Sequence, residues 1–336
     1  MSAAAAADKP EYDPEQSGVY LVCSMCGTQF PTTDRDALKT CYICDDPRQY
    51  TPGAGQSFTT LDEIRSGGKY QNKFQPLFSA KDGETGDQSA FISIVTEPKL
   101  AIGQRAILIR TPAGNVLWDC VTLLDAATEA KIRELGGLAA IVISHPHYYS
   151  THAAWARAFG DCPVYLASED RRWTTLACPQ QVFLAEDQTD FDVPLPGSTS
   201  SPGIKILKLG GHFPGSLVLL YQSRLLIADT LYTTPAGLGN WDIDALGAAR
   251  EGGRPPGLNS YSFMWSIPNM IPLAPDEIER MWSVLKKHGY ISTHGAFVGM
   301  DIIGKDTAEM RKRILDSMHI QIRYMGYGNH TLLAEK

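Results

Sequence analysis

The stretch Ser144-His145-Pro146-His147-Tyr148-Tyr149-Ser150-Thr151-His152 follows directly on the apolar run Leu138-Ala139-Ala140-Ile141-Val142-Ile143. Three of the chain's 8 histidines fall inside it. A short apolar run of this kind predicts a buried strand, and a His-x-His pair at its end aims two imidazoles from one rigid edge, as a metal site requires. The question it raises is whether one ion is held there or two. His152 sits in the first turn of a helix that Ser150 or Thr151 would cap, on one face with Trp155 and Phe159. That placement fits a ligand, and it fits equally a core-edge histidine bonded to backbone.

Other strand ends supply further candidates. Ile204 to Leu209 leads into Gly210-Gly211-His212, a hairpin from Ser216 to Ala228 ends at Asp229, and Ile291-Ser292-Thr293 ends at His294. Convergent ligands on rigid strands carry more weight than any single histidine. Between them the pattern predicts a hairpin of Gln104–Arg110 and Asn115–Asp119, and a helix over Leu124 to Leu135 that Gly136-Gly137 ends. A later helix opens at Ala274-Pro275-Asp276-Glu277, with Ile278, Met281, Trp282 and Leu285 as a core-facing stripe. A last amphipathic segment covers Thr307 to Met318.

Nearer the start, Cys23-Ser24-Met25-Cys26-Gly27 and Cys41-Tyr42-Ile43-Cys44 form two paired knuckles. Four thiolates at this spacing favour tetrahedral Zn²⁺, with rubredoxin-type iron second and free thiols as the plain alternative. A closed four-thiolate site has no position for substrate, so its role is structural. Residues 19–55 cannot bury a core unaided, and metal binding would supply the missing folding energy. This part resembles a zinc ribbon. It carries few basic residues, which argues for architecture, a protein partner or self-association through the ribbon over nucleic-acid binding. Cys120, Cys162 and Cys178 share no ligand spacing and read as buried thiols.

With 37 acidic and 30 basic side chains, a net charge of -7 and 43% hydrophobic residues, the 336-residue chain has a soluble composition without attraction for nucleic acid or membrane. No apolar stretch approaches a membrane span, and the alanine-rich start lacks a signal-peptide pattern. A cytoplasmic location follows as the expectation, with the nucleus as the alternative. The expected order is a flexible tail (1–18), a ribbon (19–55), a linker with a short helix capped by Thr60 and Glu63 (56–88), a large domain (89–325) and a C-terminal tail (326–336). Ala80 to Gln88 reads as a surface loop.

His145-x-His147, the turn Gly211-His212-Phe213-Pro214-Gly215-Ser216, Asp229 in Leu226-Ile227-Ala228-Asp229-Thr230, and the late His294 together resemble the metallo-beta-lactamase-fold hydrolases, in particular a subgroup with an N-terminal zinc ribbon. The resemblance covers roughly residues 89–325. It implies an α/β fold, a four-layer αβ/βα sandwich preceded by the small ribbon. The family pattern HxHxDH is broken here, because Tyr149 stands at its aspartate and Ser150 at its second histidine. The half that usually binds a second ion is therefore degenerate.

The resemblance implies one Zn²⁺ held by His145, His147, His212 and Asp229, with a second ion depending on His152 and His294, and iron as the alternative metal. Metal-bound hydroxide would attack a small organic substrate, an ester, thioester or lactone. Asp229 would orient or deprotonate the water, His294 would donate a proton, and Tyr149 could aim its phenol at the substrate, although packing is a tyrosine's commoner use. Ser150 reads as a helix cap. The aromatics Tyr232, Trp241, Tyr261, Phe263 and Trp265, with Met270, line a pocket or pack a loop over the sandwich. Two alternatives stand beside the hydrolase: an iron-dependent thiol or persulfide oxidoreductase, and a non-catalytic metal-binding protein.

Overall fold

The computed structural model describes residues 9–77, 89–195 and 203–336. The expected loop from Ala80 to Gln88 and the first eight residues of the expected tail lie outside them. The chain divides into two compact units, one running to Gln188 and taking in Asp192–Gly203, the other formed by Thr189–Phe191 with Ile204–Lys336.

In the first unit a small antiparallel sheet has the order Gln29–Phe30, Leu21–Cys23, Phe58–Thr60. Its third strand comes from the stretch read as linker. Thr60 then makes the predicted capping box: its side chain accepts the Glu63 N–H, the Glu63 carboxylate accepts the Thr60 N–H, and Leu61–Ser66 is helical. A seven-stranded sheet follows in the order Gln181–Leu184, Val164–Ala167, Ala140–Val142, Val116–Trp118, Ala106–Ile109, Phe91–Glu97, Gln71–Pro76. The first four are parallel and the rest antiparallel. Val164–Ala167, Ala140–Val142, Val116–Trp118 and Ala106–Ile109 are buried at every position, which explains their apolar sequences. The predicted helix begins later than its pattern, at Ala126–Glu134, because Asp125 accepts the Thr128 N–H and so fixes the start.

The segment assigned to a flexible tail is partly tied down. Glu11 bridges Ala177 in parallel register, and Pro14–Gln16 forms a 3₁₀ turn capped by Asp13.

The second unit carries a six-stranded sheet in the order Asp190–Asp192, Lys205–Lys208, Leu217–Tyr221, Arg224–Leu226, Ser292–His294, Asp301–Ile303. Arg224–Leu226 and Ser292–His294 run parallel, with Leu226 opposite His294. Helices Pro275–Leu285 and Thr307–Tyr324 contribute to the core with Ile278, Met281, Trp282 and Leu285, and with Met310, Ile314 and Met318. Burying each such side chain is worth roughly 1.5–3 kcal/mol. The last helix outruns its predicted end because Ile322 continues the buried stripe. Leu332, in the expected C-terminal tail, is also in this core.

The aromatic insertion divides. Tyr261 and Phe263 are fully buried in the core and Trp265 packs against it, so packing accounts for these three. Trp241 lines a polar cavity of about 540 Å³ within this unit, and Met270 is 79% exposed.

Candidate metal centres

The strand Leu21–Cys23 delivers Cys23, and Gly27, at φ +78°, closes the knuckle so that its N–H reaches the Cys23 carbonyl at 2.8 Å. The Met25 N–H points at the Cys23 sulfur at 3.4 Å, and Cys41 and Cys44 close a matching turn, Cys44 N–H to Cys41 carbonyl at 2.9 Å. The Sγ atoms of Cys23 and Cys44 are 3.7 Å apart, as are those of Cys26 and Cys41. Four thiolates at tetrahedral Zn–S bond lengths would be ~3.8 Å apart, so the set fits a metal ion. Hydrogen bonds from Cys26, Cys41 and Cys44 hold the Cys23 thiol well below its ordinary range, while the same crowding pushes Cys41 and Cys44 up. A divalent cation among the sulfurs would remove that conflict.

The strand Ala140–Val142 leads to the second set. Asp119, in a left-handed conformation at φ +58°, accepts the Ser144 N–H at 2.8 Å, which pins the backbone just before the first histidine. Ser144 Oγ in turn lies 2.9 Å from His145 Nδ1. Pro146–Tyr148 then makes a 3₁₀ turn that brings the His145 and His147 rings to 5.0 Å between centroids, both buried. Sequence reasoning missed Asp119 as a site residue, because it acts on a neighbour's backbone and carries no ligand spacing of its own.

His212 and Asp229 belong to the other unit. Gly210 and Gly211 have φ +66° and +89°, and a Cβ on Gly211 would come within 2.6 Å of Thr230 Oγ1, so the turn admits no side chain there. The His212 N–H donates to Thr230 Oγ1 at 3.3 Å. Its Nδ1–H donates to the Met264 carbonyl at 3.3 Å, which makes Nε2 the unprotonated nitrogen, and Nε2 lies 3.9 Å from Asp229 Oδ2. His212 is fully buried and Asp229 nearly so. These histidine and aspartate groups fit a metal cofactor.

Three other candidates have hydrogen-bond partners of their own. His152 Nδ1 lies 2.9 Å from the Tyr149 carbonyl and Nε2 lies 2.9 Å from Gln181 Nε2, so both ring nitrogens are engaged. Burial pushes its pKa down to about 4, which favours the neutral ring. His294 lies with Nδ1 2.8 Å from Asp301 Oδ1 and Nε2 2.8 Å from Ser292 Oγ. Ligation by either ring would break one of these bonds. The Tyr149 hydroxyl donates to the Asp170 carbonyl at 3.3 Å, and burial holds the phenol well above its usual range. Ser150 does not cap the helix His152–Ala158: its hydroxyl donates to Thr122 Oγ1 at 3.2 Å, and Thr151, at the cap position, makes no capping bond.

Among known proteins, the family model for the metallo-beta-lactamase superfamily matches residues 102–281. A curated relative, the uncharacterized protein YmaE of Bacillus subtilis (strain 168), is 36% identical over 278 residues, which is 83% of this chain and 88% of the relative. A B3 metallo-beta-lactamase described as the first with an active-site glutamic acid is 14% identical at a TM-score of 0.43, covering 85% of this chain and 99% of that one. The FIM-1 metallo-beta-lactamase of Pseudomonas aeruginosa, in a mono-zinc form, is 11% identical at a TM-score of 0.41, covering 70% of this chain and 93% of that one. The superfamily consists mostly of metal-dependent hydrolases, and the mixed sheets with their helices are its α/β fold. On its family match and its curated relative, the chain belongs to the metallo-beta-lactamase superfamily.

Proposed function

We propose that this protein is a hydrolase of small organic esters, thioesters or lactones, with one divalent ion, zinc by preference, on His145, His147, His212 and Asp229, and a separate structural zinc on the four cysteines. The observation that carries the reading is the way the ring nitrogens are committed. His145 and His212 each have Nδ1 occupied by a neighbour, Ser144 Oγ and the Met264 carbonyl, whereas His152 and His294 have both nitrogens engaged. His145 and His212 are thus held through Nδ1, with His212 Nε2 facing Asp229, whereas ligation by His152 or His294 would cost a bond the ring already makes. This supports one ion in preference to two.

When bound, the ion would supply Lewis acidity toward a carbonyl and make water nucleophilic near neutral pH. The chain's own contribution is orientation and proton handling. Asp119 and Ser144 fix His145, Met264 holds His212 through Nδ1, and Asp229, 3.9 Å from His212 Nε2, would accept a proton from attacking water. His294, bonded to Ser292 and Asp301, acts in this reading as a strand-to-strand tie. The acidic balance of the chain suits neutral acyl substrates better than polyanions.

Metal content and turnover test the proposal. Natively purified protein should hold two ions per chain and cleave members of a panel of aryl esters, thioesters and lactones, and His147→Ala should hold one ion and cleave none. Turnover that survives His147→Ala would reject it.

A further inference from the structure

The four-cysteine ribbon does more in the first unit than fold itself. The Gln29 N–H donates to the Ser150 carbonyl at 3.1 Å, and the Gln29 carbonyl accepts from Thr175 Oγ1 at 2.5 Å. Ser150 lies two residues before His152 and three after His147, in the left-handed region at φ +47°. The knuckle glycine Gly27 lies against Thr122 so closely that a Cβ there would come within 2.0 Å of Thr122 Oγ1. Thr122 holds the same loop from the other side: its Oγ1 accepts from the Ser150 hydroxyl at 3.2 Å and its carbonyl accepts from the Thr151 hydroxyl at 3.0 Å. Further along, the Tyr42 hydroxyl donates to the Thr174 carbonyl at 2.6 Å, and Trp173 packs against the cysteine cluster.

The ladder around Gln29 shows that its contact with Ser150 is separate from the ribbon's own sheet. Cross-strand bonds run from the Leu21 N–H to the Thr32 carbonyl and from the Cys23 N–H to the Thr28 carbonyl, leaving the Gln29 N–H for Ser150. The knuckle turn is formed by Cys23, Cys26 and Gly27, so the atoms that grip the loop are set by the atoms that would grip the ion.

We propose that Gln29 and Thr122 are positioning residues for the His145–His152 loop, and that the ribbon's metal thereby sets how tightly the histidine site holds its own ion. Gln29 acts through the Ser150 carbonyl and Thr122 through the Ser150 and Thr151 hydroxyls, and in this reading neither touches substrate. By linkage the coupling is reciprocal, so filling the histidine site should tighten the ribbon's hold on its metal by the same factor. The proposal rests on His145 and His147 being ligands. Hydrogen exchange of the loop provides a readout that does not need that reading to hold.

The experiment compares full-length Gln29→Pro, which lacks the N–H but interrupts no ladder bond, with Gln29→Ala, which retains it. Thr122→Val serves as a second variant that leaves the ribbon sequence intact. Ribbon occupancy is checked by elemental analysis, and Co²⁺ is titrated into the histidine site. Gln29→Pro should bind Co²⁺ there about 10-fold more weakly with the ribbon metal retained, Thr122→Val severalfold more weakly, and Gln29→Ala within about 2-fold of the parent. Amides of residues 147–152 should lose exchange protection in the first two variants and in Cys41→Ser, with or without Co²⁺. If the parent takes up no Co²⁺ outside the ribbon, the reading of the histidine site fails, and exchange alone then decides the brace. Unchanged protection of 147–152 in both Thr122→Val and Cys41→Ser overturns it, as does unchanged Co²⁺ affinity in Gln29→Pro and Thr122→Val.

Discussion

His212 and His294 are both fully buried, both stand at or just beyond a strand end, and both belong to the second unit. They differ in how their rings are held. His212 gives Nδ1–H to the Met264 carbonyl and turns Nε2 toward Asp229, whereas His294 is fixed on one side by Asp301 and on the other by Ser292. In the proposed reading, a histidine at a strand end is a ligand or a tie according to its second nitrogen. Residue type and register alone do not separate the two.

The sharpest way to break this comparison is to remove each ring in turn. His212→Ala should weaken ion binding by on the order of 100-fold or more, since four ligands share a binding free energy of roughly 10–16 kcal/mol. His294→Ala should leave ion stoichiometry unchanged and instead lower stability by about 1–3 kcal/mol, because Ser292 and Asp301 lose their buried partner. Ion counting and denaturant unfolding on both variants give the two readouts. Loss of the ion from His294→Ala would erase the distinction.

The cysteine set extends the comparison to a site with no open position. Cys26→Ser should cost one ion per chain and leave residues 19–55 prone to exchange and proteolysis, while the two large sheets retain their protection. An unchanged ion count would show that the thiols hold none.

His152 sharpens the contrast through pH. Its folded pKa is lowered to about 4 by burial, against a reference of 6.5, so its stabilising contribution is complete above pH 6.5 and is lost as pH falls toward 4. The linked difference is about 3 kcal/mol. Unfolding free energies of parent and His152→Gln should converge across that window as the solution is acidified. Parallel curves would mean that His152 is not held neutral.

Much of this was legible in the sequence, and the missing parts share a physical cause. The apolar run before His145, the double glycine before His212 and the knuckle spacing of the cysteines are local patterns, and each marked its site. Tyr149 and Ser292 are near neighbours of His152 and His294, but the partner that occupies the second nitrogen of each is not: Gln181 lies 29 residues from His152, and Asp301 faces His294 only through strand register. Asp119 escaped notice for a similar reason, since it meets Ser144 only where two parallel strands end together. The ribbon's third strand was hidden in a linker because Phe58–Thr60 is too short to show a period.

Smaller effects refine the account. Asp119→Ala should release the Ser144 backbone and weaken the histidine-site ion about 10-fold, measured by competition with a chelator, while Asp119→Asn, which can keep the acceptor, should cost less. Tyr149→Phe removes one hydroxyl bonded to the Asp170 carbonyl and should lower stability by about 0.5–1.5 kcal/mol, with turnover unchanged. A large loss of rate there would return Tyr149 to the chemistry.

In the proposed arrangement one histidine group holds an ion while the other holds strands together. Anomalous diffraction from crystals of natively purified protein, collected above and below the zinc edge, tests it most directly. Two peaks per chain are expected, one among Cys23, Cys26, Cys41 and Cys44 and one bound by His212 Nε2 and Asp229 together with His145 and His147. A further ion on His152 or His294, or no ion at His212, would contradict it.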